Sequence, residues 1–128
     1  MNLSTEIEVR FADLDAYGHV NNAIFFTYLE TARVKLLSKS FPEIMQSGLL
    51  FLVVEASCRY RAPIELSDRV HIDISTENLG RSSFTFSYLI HDDHGKEFAD
   101  ARTVMVCFDP ERNKVVSLPD NFRSVLGG

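Results

Sequence analysis

Phe11-Ala12-Asp13-Leu14-Asp15-Ala16-Tyr17-Gly18-His19-Val20-Asn21-Asn22 joins a strand-like run to the longest apolar segment of the chain. Upstream, Glu6 to Phe11 alternates polar and apolar residues, the period of a half-buried strand. Downstream, Ile24, Phe25, Tyr28, Leu29, Ala32, Leu36 and Leu37 recur at helical spacing, which predicts a helix from Asn22 to about Lys39. Phe26 widens the stripe, so burial on more than one side is expected. Asn21 or Asn22 is a fitting N-cap, and Phe41-Pro42 ends the helix. The quoted stretch is therefore the loop that feeds a long helix.

That position carries chemistry. A helix N-terminus leaves about four backbone N–H groups unpaired and a partial positive charge, which suits a developing oxyanion. Gly18 lets the backbone turn sharply, and Asp15 supplies a carboxylate able to activate water or attack a carbonyl. Together these suit acyl transfer. Asp13 and Asp15 are equally ordinary turn residues, His19 an ordinary loop histidine, and Asn21 and Asn22 ordinary caps.

The rest of the chain is strand and turn. Leu49 to Arg61 reads as a long strand rich in Leu, Val and Tyr. Ala62 to Asp68 is a turn region. Val70, Ile72 and Ile74 alternate with polar residues, as do Phe84, Phe86, Tyr88 and Ile90, and Phe98 to Asp109 is the last long strand. Asn78-Leu79-Gly80-Arg81 and Asp92-Asp93-His94-Gly95-Lys96 are turns. His91 and His94 beside that acidic turn look like metal ligands, but the turn explains the composition. After Asp109 the expectation is a polar turn and a short tail. The order is strand, one long helix, then four strands in meander-like succession, paired antiparallel. One helix cannot cover both faces of such a sheet, so a second subunit is expected on the other face or an edge.

The 128 residues make one domain, 1–128, without repeats or linkers, and enough chain for a real core. A net charge of −5 argues against a nucleic-acid partner. No apolar run is long enough to span a bilayer, and the N-terminus lacks a secretory pattern. Cys58 and Cys107 lack disulfide-framework and zinc spacing and read as reduced thiols; a cytoplasmic location follows.

Asp13 to Asn22, followed by Tyr28-Leu29-Glu30-Thr31-Ala32-Arg33, resembles the hotdog-fold acyl thioesterases of the 4-hydroxybenzoyl-CoA thioesterase-like superfamily. The Leu-Asp-x-x-x-His-Val-Asn-Asn portion is also similar to plant acyl-acyl-carrier-protein thioesterases. Tyr60-Arg61-Ala62-Pro63 and Asp109-Pro110 extend the likeness over most of the chain. The resemblance implies an α+β hotdog fold: a curved antiparallel five-stranded sheet wrapped around one long central helix. It implies protomers paired edge to edge as a homodimer, or a dimer of dimers (homotetramer), with sites at the interface.

Position by position, Asp15 matches the catalytic carboxylate, as nucleophile or general base. Asn22 matches the residue whose backbone N–H polarises the thioester carbonyl, Gly18 the turn glycine, and His19 the histidine of the plant enzymes. Tyr17 stands where those enzymes carry an asparagine, and Pro63 near a further acidic residue of theirs, which favours the simpler carboxylate-plus-helix arrangement. Arg81, Ser82 and Ser83 lie where the family contacts the nucleotide end of CoA; Arg61 is an alternative phosphate partner, beside Arg59, and Tyr17 joins the substrate-binding set. The expected reaction is hydrolysis of an acyl-CoA thioester, with no metal and no cofactor beyond the CoA of the substrate. The alternatives are an acyl-acyl-carrier-protein thioesterase, an acyl-thioester hydratase or dehydratase, and a non-catalytic acyl-CoA-binding module.

Overall fold

A computed structural model describes residues 2–127. Strand β1 (Asn2–Ile7) leads through a 3₁₀ turn (Phe11–Asp13) to helix α1 (Asn22–Ser40) and the short α2 (Pro42–Gln46). Strands β2 (Leu50–Tyr60), β3 (Val70–Glu77), β4 (Ser83–His91) and β5 (Glu97–Asp109) follow, then β6 (Lys114–Val115) and α3 (Asp120–Gly127). The sheet order is β1-β3-β4-β5-β2, every pairing is antiparallel, and the two-residue β6 adds a short rung beside β5.

The alternation read in the sequence separates the two faces of β3, β4 and β5. Ile72, Ile74, Phe84, Phe86, Tyr88, Ala101 and Met105 form a buried inner face. Against it α1 sets Phe25, Tyr28, Leu29, Ala32 and Leu36. This is the hotdog α+β arrangement that the resemblance implies: a five-strand antiparallel sheet, β6 aside, around one helix. Phe26 departs from expectation. It remains partly exposed, over the trough between α1 and β2.

Four other differences have physical causes. The first strand spans Asn2–Ile7 rather than Glu6 to Phe11, because Arg10 and Asp13 fold the chain into a turn: Asp13 N–H donates to Arg10 O at 2.9 Å. Strands β3, β4 and β5 form the meander, but β2 does not join β3. It crosses to the far edge and pairs with β5 from Leu50↔Phe108 to Tyr60↔Ala99. The segment after β2 is no tight hairpin; Arg61 and Ala62 both donate to Phe98 O and turn the chain beneath the Asp15 loop. Finally, the tail contains α3. Phe122 and Leu126 fall on one face, and the Phe122 ring lies 4.6 Å from those of Phe41 and Phe51.

As an edge strand, β2 has a neighbour on one side only. Leu50, Leu52, Val53 and Val54 are 40–59% exposed. The thiols of Cys58 and Cys107 are free.

Candidate active site

The loop between β1 and α1 is fixed at its base by a buried carboxylate. Asp13 is 1% exposed and accepts from Arg10 Nη2 at 2.8 Å, Arg10 N–H at 3.0 Å and the Tyr28 hydroxyl at 2.7 Å. Burial alone would raise the Asp13 pKa, but the hydrogen bonds from Arg10 and Tyr28 outweigh it and hold the carboxyl below the usual range. Burial and Asp13 together push the Tyr28 hydroxyl well above its ordinary value, so it stays a donor. Asp13 O accepts the Asn21 N–H at 2.9 Å, which fixes where the helix begins.

Above this base the chain makes a tight excursion. Asp15 N–H donates to His19 O at 2.8 Å and Gly18 N–H to Asp15 O at 3.0 Å. Gly18 sits at φ +79°, which a side chain disfavours. The Asp15 carboxylate accepts the Tyr17 N–H through Oδ1 at 2.9 Å. Among the described residues Oδ2 has no partner. The 62–68 segment backs the loop: Val20 N–H donates to Ile64 O at 2.8 Å, and His19 bridges Glu65.

Asn21 proves to be the N-cap. Its side chain accepts the Ala23 N–H at 2.9 Å, and its carbonyl takes Ile24 N–H. Asn22 is thus the first helical residue, and its N–H finds no acceptor among the described residues. Tyr60 of β2 donates to Asn22 O at 2.9 Å and packs edge-on to Phe25 at 4.9 Å. A cleft of about 410 Å³ opens here, lined by Asp15, Tyr17, His19, Asn22, Tyr60 and Arg61, among others. Asp15, whose Oδ2 has no partner among the described residues, and Asn22, the first residue of α1, therefore line one cavity. That pair can polarise a carbonyl and deliver water to it. Arg61 is paired with Asp100 at 2.8 Å.

Arg81, Ser82 and Ser83 lie elsewhere. Ser82 O accepts Cys107 N–H near the end of β5, whereas the Asp15 cleft adjoins Phe98 near its start. Nine strand residues separate the two, about 30 Å at ~3.3 Å per residue. There Arg81, Ser82, Arg112, Lys114 and Ser117 line a second cleft of about 580 Å³, and Arg81 Nε donates to Ser117 Oγ at 3.2 Å. Ser83 opens β4 opposite Val106.

The sequence reading missed the roles of Arg10, Tyr28 and Tyr60, and the contribution of Arg112 and Lys114. The Arg10/Asp13 spacing was the one local signal; the others depend on tertiary contacts. His91 and His94 serve the turn: Asp93 N–H donates to His91 Nδ1 at 3.1 Å, and His94 N–H to Asp92 Oδ1 at 2.8 Å.

An antiparallel sheet wrapped around one long helix is the hotdog arrangement. The chain belongs to the thioesterase-like superfamily, whose model matches residues 9–126. It is 35% identical to the long-chain acyl-CoA thioesterase FadM of Escherichia coli over 97% of this chain and 96% of that protein. It is 29% identical to the 1,4-dihydroxy-2-naphthoyl-CoA hydrolase of Thermosynechococcus vestitus over 88% and 80% of the two chains. The crystal structure of the probable thioesterase YbaW from Escherichia coli superposes with a TM-score of 0.84 at 35% identity, covering 94% of this chain and 93% of that one. The expected enzyme, a thioester hydrolase, agrees with the family and with these relatives. Among the described residues no helix is long and apolar enough to cross a membrane.

Proposed function

We propose that the protein hydrolyses acyl-CoA thioesters at the Asp15 cleft. The observation that carries this reading is that Asp15 and Asn22, the first residue of α1, line one cavity. The thioester carbonyl oxygen sits at the start of α1, where the N–H and the helix dipole stabilise negative charge. Asp15 takes a proton from water, and the resulting hydroxide adds to the carbonyl carbon. The tetrahedral oxyanion collapses, the C–S bond breaks, and Asp15 returns the proton to the leaving thiolate. Gly18 shapes the loop, and Tyr17 and His19 border the substrate beside Asp15.

The site is composite in this reading. β2 is an unprotected apolar edge of the kind that pairs with a second copy. With the two-fold axis at the middle of β2, antiparallel β2–β2 pairing sets one Tyr60 opposite Leu50 of the partner subunit. Leu50 pairs with Phe108, beside the Ser82–Cys107 bond. The partner's basic cleft then lies two to three strand spacings from the Asp15 cleft, about 10–15 Å, at the same end of the joined sheet. A protomer's own basic cleft is about two to three times as far away. Arg81, Arg112 and Lys114 give phosphate-rich CoA the advantage over a carrier protein. The free thiols fit a reducing compartment, the cytoplasm. The named relatives act on a long chain and on an aromatic acyl group, so the acyl preference is a property of each member's own pocket.

Free-thiol release from short, medium, long and aromatic acyl-CoAs, wild type beside Asp15→Ala, tests the reading. Wild-type turnover that vanishes in the variant supports it. An Asp15→Ala protein with full activity overturns it.

A further inference from the structure

Halfway along α1, a charged pair remains unused by the site. Arg33 is partly buried in the trough between α1 and β2, with Phe26, Thr27, Glu30, Val53, Ala56 and Thr103. Its one hydrogen bond among the described residues goes to a neutral group, the Tyr88 hydroxyl at 3.3 Å, which in turn lies 2.6 Å from Thr103 Oγ1. Glu30, one helical turn away, is exposed and has no ion-pair or hydrogen-bond partner among the described residues. A partly buried cation without an anion is unfavourable, and so are the apolar side chains of Phe26 and Val53 left open to water beside it. Both conditions occur together at Val53 and Ala56, which flank the midpoint of β2.

We infer that Glu30 and Arg33 are the contact pair of the two-fold axis: Glu30 of each subunit meets Arg33 of its partner. The inference rests on the β2 edge pairing proposed above, with its axis at the middle of that strand, and names the side-chain contact made there. The axis of an antiparallel β2–β2 pair crosses the middle of that strand. The trough residues lie at that level, so two copies bring their α1 helices together there. A two-fold contact must be self-complementary, each residue meeting its counterpart's partner. Opposite charges three positions apart on one helix face meet that requirement, since antiparallel apposition satisfies both acids and both guanidinium groups. Phe26, Val53 and Ala56 become the apolar surround that excludes water from the pairs.

The test is the dimer dissociation constant, by sedimentation equilibrium at low and moderate salt. Glu30→Gln alters a side chain unbonded within its own protomer, so folding is unaffected. It should raise the constant about tenfold or more, because each dimer loses two contacts. Arg33→Glu should shift the protein toward monomer. The double variant Glu30→Arg/Arg33→Glu should recover dimerisation, because the exchange restores the complementarity. A Glu30→Gln constant within twofold of wild type, or failure of the double exchange to outperform Arg33→Glu alone, overturns the assignment while leaving edge pairing intact. A wild type that is monomeric at all concentrations overturns both.

Discussion

Tyr28 donates its phenolic hydrogen to Asp13 Oδ2 at 2.7 Å, and this buried bond ties the sheet-facing side of α1 to the loop carrying Asp15. The two residues are fifteen apart, and the contact holds the loop against the helix that supplies the oxyanion donor. In Tyr28→Phe the ring still packs, but a charge-assisted bond is lost, which costs about 1.5–3 kcal/mol. Thermal unfolding should show a lower Tm. Turnover should fall severalfold as the Asp15 loop loosens, and a variant with wild-type Tm and turnover would show that Arg10 alone suffices.

Acid sensitivity should trace to the same carboxylate. The Asp13 pKa is lowered in the folded protein, because Arg10 and Tyr28 outweigh the opposing effect of burial. A depressed folded pKa contributes stability above the unfolded value, about 3.9, that is lost as pH falls through the folded value. The stability difference between wild type and Asp13→Asn should therefore be constant from pH 7 to about 5 and shrink below about pH 4. Urea unfolding across that range checks the sign. A difference that widens on acidification contradicts the account.

Asp15 has two duties that one substitution separates. Its Oδ1 holds the Tyr17 N–H, and an asparagine oxygen can do the same, but an amide cannot take a proton from water. Asp15→Asn should keep the wild-type Tm, while kcat falls roughly 10²–10⁴-fold, the usual contribution of a positioned general base. Asp15→Ala should lose the activity and also about 1 kcal/mol of stability through the freed turn N–H. Equal Tm losses in both variants would mean that the carboxylate's charge, not its hydrogen bond, holds the loop.

Local chemistry made much of this legible in the sequence. The helix from Asn22 was readable because its apolar spacing and Asn21 cap are local, and the cap's place is what leaves Asn22 N–H free. The placement of β2 beside β5 was not readable: Leu50 to Tyr60 suits either side of the sheet, and the choice depends on the Arg61 and Ala62 bonds to Phe98. The same distance problem hid Tyr60, whose hydroxyl reaches Asn22 across thirty-eight residues. Helix α3 was legible in principle, through Phe122 and Leu126 behind Asp120, but it is short and needs Phe41 and Phe51 to be worth forming. Arg81 was singled out beside Ser82, yet its cleft owes as much to Arg112 and Lys114, which read as an ordinary polar turn.

The basic cleft makes a prediction that separates binding from chemistry. If Arg81 and Arg112 hold the phosphates of CoA, they act on a part of the substrate remote from the C–S bond. Such contacts bind ground state and transition state alike, so their loss raises KM and leaves kcat nearly unchanged. Arg81→Ala/Arg112→Ala should raise KM for an acyl-CoA about tenfold or more, with kcat within twofold of wild type. Raising ionic strength should weaken wild-type binding and affect the variant less, because the screened charges are already gone. The control is the same acyl group on pantetheine, which lacks the nucleotide: there wild type and variant should be indistinguishable. A KM rise of equal size on both substrates would mean that the arginines support the fold near Ser117 and Leu118 and do not hold phosphate.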